Sequence, residues 1–171
     1  MASITTLATF TGTNGNGPVA GLTLSGNTLY GTTHRGGASG GEGTVFSVPV
    51  TGGAPTVLAI FDYVIGDSIG RTPHAGVILS GNKLYGTTYN GGRSDRGTVF
   101  SLPVTGGVPT TLATFIGATT IGTTGVLPRG GVTLSGSTLY GANNNDVYSV
   151  PVGGGDPTTL TTFNYFNGEN P

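Results

Sequence analysis

The chain of 171 residues holds 34 glycines, six Lys or Arg, seven Asp or Glu, and neither cysteine nor tryptophan. A formal net charge of −1 without a basic run leaves no electrostatic footprint for nucleic acid or an anionic membrane. Absence of cysteine excludes disulfides, thiolate metal sites and thiol catalysis together.

Heavy use of Gly, Thr, Ser, Asn and Val, with few strong helix formers, points to an all-β chain of one domain. Met1 to Phe10 has no basic start and too much Thr for a signal peptide. No later stretch approaches the ~18 apolar residues of a membrane span, so no membrane insertion is expected. The compartment stays open.

The chain begins with Thr5-Thr-Leu-Ala-Thr-Phe10, a phrase that returns as Thr56-Val-Leu-Ala-Ile-Phe61, Thr110-Thr-Leu-Ala-Thr-Phe115 and Thr158-Thr-Leu-Thr-Thr-Phe163. It reads as the outer strand, d, of a repeating unit. Strand a follows near Ala20 to Ser25, and a tight hairpin at Ser25-Gly-Asn27 leads into strand b, Thr28 to Thr33. Strand c spans Thr44 to Val50, and Thr51-Gly-Gly-Ala-Pro55 turns the chain into the next d strand, Thr56 to Phe61. The order a, b, c, d then repeats from Gly76-Val-Ile-Leu-Ser-Gly-Asn82 and from Gly131-Val-Thr-Leu-Ser-Gly-Ser137, at a period of about fifty residues.

Strand c keeps apolar residues at both parities (Val45, Phe46, Val48, Val50), so it is expected to be covered on both faces. Phe46, Phe100 and Tyr148 occupy its matching places and are expected in the core. Tyr30, Tyr85 and Tyr140 are expected to pack between units. A four-stranded meander repeated in tandem with both faces covered fits a β-propeller blade. A three-fold β-trefoil or β-prism is the alternative; units that begin and end in mid-phrase favour blades with exchanged strands. The repeats fall at residues 11–61, 62–115 and 116–163, with 1–10 an extra outer-type strand and 164–171 the start of a further repeat.

The combination of Leu29-Tyr-Gly-Thr-Thr33, the glycine-rich Gly36 to Gly43, Gly43-Thr-Val-Phe-Ser47 and Thr6-Leu-Ala-Thr-Phe10 followed by Thr11-Gly-Thr-Asn-Gly15 resembles the Gloeo-Verruco (GloVer) tandem-repeat family of bacterial proteins. The resemblance implies propeller-like repeats in surface or secreted proteins. It brings no catalytic residues and no established ligand.

Residues 5–18 align without a gap to residues 158–171. Three blades fall short of the usual 4–8 in a ring, so closure is expected from a second copy, with a homodimer of six blades favoured. In a blade wound from the axis outward, the a–b and c–d turns share one end and the b–c and d–a loops share the other. The turn end holds only Lys83 and Asp156 among charged residues. The loop end holds the rest, and loops on a rigid scaffold are where binding usually resides.

Candidate binding residues are therefore Tyr89, Asn90, Arg93, Asp95 and Arg96 of one loop, Asp67, Arg71 and His74 of the preceding one, and His34 and Arg35 of the first repeat. Arg forks onto carboxylates or paired hydroxyls and Tyr supplies a flat face for a sugar ring. No catalytic residues, cofactor or metal site are expected. His34 and His74 lack a nucleophile context, Asn143 to Asp146 lacks the spacing of a calcium loop and reads as a hairpin turn, and Gly36 to Gly43 precedes a strand, unlike a phosphate loop. The expected function is a non-enzymatic, self-associating binding module, lectin-like, for glycans or a surface protein. The alternative is a structural element of a larger assembly, such as a virion decoration or tail component or a surface layer; an enzyme comes third.

Overall fold

Each repeat turns first at a glycine that no other residue replaces without strain: Gly26, Gly81 and Gly136 sit at φ of 54°, 59° and 59°. A left-handed residue there gives a hairpin whose twist matches its flanking strands. The computed structural model describes residues 3–37, 41–62, 69–116 and 127–163. Among them there is no helix.

Among the described residues twelve strands form three four-stranded antiparallel sheets, each a meander in chain order. The first comprises β1 (Thr23–Ser25), β2 (Thr28–Thr33), β3 (Gly41–Pro49) and β4 (Thr56–Asp62). The second comprises β5 (Ile78–Ser80), β6 (Lys83–Thr88), β7 (Thr98–Pro103) and β8 (Thr110–Thr114). The third comprises β9 (Val132–Ser135), β10 (Thr138–Ala142), β11 (Asp146–Pro151) and β12 (Thr158–Thr162). Registers coincide: Tyr30 pairs with Ser47, Tyr85 with Ser101 and Tyr140 with Ser149. Each third strand carries a register shift at the matching place, between Val45 and Phe46, Val99 and Phe100, and Val147 and Tyr148, and β3 carries a second between Gly41 and Thr44. Such a bulge re-aims the side chains around it.

The core lies between sheets. Val45, Ala59 and Phe61 of the first sheet pack with Leu84, Phe100 and Leu102 of the second. Tyr85, Leu112 and Phe115 of the second pack with Leu139, Tyr148 and Val150 of the third. Phe46, Phe100 and Tyr148 are all buried, as the pattern of the third strands requires. Val50, grouped with them by sequence, lies past the end of β3 and is exposed.

Polar contacts repeat across the junctions. Thr32 donates its hydroxyl to the Ala75 carbonyl and Thr87 to the Gly130 carbonyl, each at 2.9 Å. The amides of Gly107 and Gly155 donate to the carbonyls of Leu58 and Leu112 on the preceding sheet, also at 2.9 Å. Gly53 donates in the same way to Leu7, again at 2.9 Å. Residues 3–10 thus stand against the first sheet where a preceding outer strand would stand. They form no strand of their own.

Inner strands β1, β5 and β9 touch in succession, so the sheets are arrayed side by side like blades about a common inner line, without closing. These inner strands begin later than sequence indicates, at Thr23, Ile78 and Val132. Residues 164–171, read as the start of a further repeat, lie outside the described residues.

Candidate functional site

The meander puts the b–c loops (β2 to β3, β6 to β7, β10 to β11) and the d–a connections at one end of the molecule. Buried hydroxyl pairs fix the bases of the two long b–c loops. The Thr33 and Thr44 hydroxyls stand 2.8 Å apart and those of Thr88 and Thr98 2.9 Å apart. The backbone amides of Thr44 and Thr98 donate to the Thr33 and Thr88 hydroxyls at 3.1 Å. The Thr88 hydroxyl also reaches the Asn90 carbonyl at 2.9 Å. Gly70, at φ of 81°, covers the Thr88 and Thr98 hydroxyls so closely that a Cβ would overlap them. Past it, the Arg71 amide donates to the Asn90 carbonyl at 2.8 Å, tying the connection to the loop.

The third repeat replaces this device. Asn143 and Asp146 hold the register place of the threonine pair, and the Asn143 side-chain oxygen accepts the amides of Asn145 and Asp146 at 2.9 and 2.8 Å. The stretch is a hairpin turn, as its sequence suggests.

On these supports four side chains form a continuous row from the end of β2, past the end of β6, to the connection that leads into β9. The His34 and His74 ring centroids are 5.8 Å apart, and those of His74 and Tyr89 4.9 Å apart. The Arg129 guanidinium lies 5.2 Å from the Tyr89 ring centroid and donates from Nη2 to the Tyr89 hydroxyl at 3.2 Å. Two repeat positions generate the row. His34 and Tyr89 each follow the last threonine of a second strand, while His74 and Arg129 each stand two residues before Gly76 and Gly131. His34 Nδ1 donates to the Gly17 carbonyl at 2.9 Å, which sets its tautomer. Burial, and then the positive charges of His34, Arg129 and Arg35, hold the His74 pKa below the ordinary histidine value.

Arg71 and Asp95 are turned toward each other. Arg71 Nη2 meets Asp95 Oδ2 at 2.7 Å, and Asp95 Oδ1 accepts the Gly91 amide at 2.7 Å. The Arg71 bond, which outweighs the opposing effect of burial and is helped by the Gly91 amide and the charges of Arg71 and Arg96, holds the Asp95 carboxyl below its ordinary range. Asp95 adopts a φ of 54°, a strained value for a side-chain-bearing residue, and the pair shapes the loop around it. Asn90 acts through its backbone. Arg93 stands apart from the row, lining a cavity of about 430 Å³ between the second and third sheets with Phe115, Asn143, Asp146, Tyr148 and Asp156. Arg35 is exposed beside the row. Asp67 lies outside the described residues.

Arg129 was not among the expected binding residues. Aligning Pro73-His74 with Pro128-Arg129 two residues before the repeat glycine would have found it. Among the described residues no three His, Asp or Glu side chains gather as metal ligands.

No curated protein matches the chain in sequence. The family model of the Gloeobacter/Verrucomicrobia repeat matches residues 1–149, which takes in the row of loop-end side chains and most of the repeated strands beneath it. The chain belongs to the Gloeobacter/Verrucomicrobia repeat family.

Proposed function

We propose that the chain is a non-enzymatic, self-associating binding module that takes carbohydrate, in the manner of a lectin, on the end carrying the b–c and d–a loops. The observation that carries this is the row His34, His74, Tyr89, Arg129, which runs from the first sheet past the second to the connection that leads into the third, at one end of the scaffold. Aromatic faces stack on sugar rings, and guanidinium groups bond their oxygens. The two histidines face each other and His34 Nδ1 is bonded to a backbone carbonyl, an arrangement suited to holding a ligand rather than to moving protons. The test is a glycan array probed with the intact chain. Retention of a related set of glycans supports carbohydrate binding, and a blank array at high protein concentration rejects it.

A second reading, a structural role in an assembly, is favoured by the third sheet. Leu112 of β8 is 8 % exposed beneath the following sheet, whereas its counterpart Leu160 of β12 is 52 % exposed. A second copy docking there would continue the stacking seen within the chain, and two chains would give a ring of six blades. Solution mass by light scattering tests this: a dimer supports it, and a monomer that persists on concentration rejects it.

A further inference from the structure

The exposed groups of the row differ from those expected for an uncharged sugar. Binding a neutral hydroxyl calls for acceptors as well as donors, since each hydroxyl is both. Arg35 and Arg129 are donors only; the Tyr89 hydroxyl and one nitrogen of each neutral imidazole can accept, and both histidines become donors only when protonated. Among the described residues, carboxylates of this end already have partners: Asp95 has Arg71 and Gly91, Glu42 has the Thr72 hydroxyl at 3.2 Å, and Asp146 has the Thr162 hydroxyl at 2.8 Å. Asp62 ends the outer strand β4, on the outer edge of the first sheet opposite Gly41 of β3.

Resting on the carbohydrate-binding reading above, we infer that the ligand of the loop end is an acidic sugar, a uronate-bearing chain whose carboxylate lies among His34, His74, Arg35 and Arg129 while a sugar ring stacks beside Tyr89. Arg129 already lies over the Tyr89 ring and bonds its hydroxyl, so its guanidinium is held in place before a ligand arrives. A pre-placed planar fork matches a carboxylate in geometry as well as charge. The third repeat, with its short Asn143 to Asp146 turn, supplies Arg129 but no counterpart of the long loops, so one site spans the first two junctions instead of three equal sites.

The site also makes binding respond to pH. His74 has Arg35, Arg129 and His34 around it, all of which oppose its protonation. A bound carboxylate reverses that balance. A uronate stays ionised throughout the range in which histidine titrates, so binding draws a proton onto the row and strengthens as pH falls.

Calorimetric titration of the intact chain with oligogalacturonate, and with the same oligomer methyl-esterified to remove its charge, tests the inference. Expected are binding of the acid form, a loss of about tenfold or more on esterification, and a gain of about tenfold from about pH 7.5 to about pH 5.5. Arg129→Gln and His74→Asn weaken binding with little change in thermal unfolding, while Lys83→Gln at the turn end leaves it intact. In the unaltered chain the His74 ring proton, followed by NMR, titrates at higher pH with oligogalacturonate present. Equal binding of the esterified oligomer, or preference for a sulfated oligosaccharide over both, overturns the carboxylate assignment while leaving the carbohydrate-binding reading in place. A chain that binds no glycan of any charge overturns both.

Discussion

The ring of Phe10 stands edge-on to that of Phe46, with centroids 4.8 Å apart and planes at 68°. Phe61 meets Phe100 at 5.2 Å and 64°, and Phe115 meets Tyr148 at 4.8 Å and 69°. The aromatic that ends each outer-strand phrase is therefore handed to the next sheet. Edge-to-face pairing adds to the area each ring buries, so the three contacts behave as one repeated joint.

The middle joint is the most enclosed. Phe100→Ala should destabilise the chain by roughly 3–5 kcal/mol, the range for emptying a buried aromatic site. Chemical denaturation checks this, and a change under about 1 kcal/mol would mean that the core does not lie between the sheets.

At the first joint the chain's own N-terminal segment fills the place that an outer strand of a second copy would take. Leu7 and Phe10 occupy it, with Gly53 bonded to the Leu7 carbonyl at 2.9 Å. Deleting residues 1–10 should remove a competitor and lower the dimer dissociation constant about tenfold. Light scattering over a dilution series reads the outcome; a weaker dimer after the deletion would show that the segment supports association.

Thr87 donates a buried hydroxyl to the Gly130 carbonyl across the second junction at 2.9 Å. Thr87→Val keeps the shape but leaves that carbonyl without the donor, at an expected cost of about 1–2 kcal/mol. Ala142 holds the same place in the third repeat, and Ala142→Thr should change stability by less than about 0.5 kcal/mol. Equal effects at the two positions would remove the junction bond from the account.

Asp95 gives a pH dependence of known sign. Its carboxyl is lowered chiefly by the Arg71 bond, so its contribution is complete above the ordinary carboxylate value and is lost as pH falls through the lowered one. With its side chain 57 % exposed, the pair should contribute only about 0.2–1 kcal/mol. Asp95→Asn should lower stability by that amount at neutral pH and match the unaltered chain in strong acid. A difference that persists in acid would place the effect in the strained backbone of Asp95 rather than in its charge.

Much of this architecture is written in local sequence. The left-handed glycines mark the hairpins, and Val45-Phe46 and its copies mark strands covered on both sides, because both signals depend on neighbours along the chain. The separation of charged loops from plain turns follows from the meander alone. Contacts between repeats were harder to read. Arg129 reaches Tyr89 across 40 residues, and nothing beside either residue indicates the pairing. Arg71 and Asp95 looked like free ligand groups because charge is visible in sequence and pairing is not. The replacement of the threonine pair by Asn143 and Asp146 became intelligible only through the shared register of the strands.

The location of binding is the sharpest test of the functional account. With a glycan retained on the array, affinities should be compared for Tyr89→Ala and Arg129→Gln at the loop end and for Lys83→Gln and Asp156→Asn at the turn end. Each loop-end change should weaken binding at least about tenfold with thermal stability nearly unchanged, and each turn-end change should leave affinity within about twofold. Loss of binding in the turn-end variants with normal binding in the loop-end pair would contradict the account.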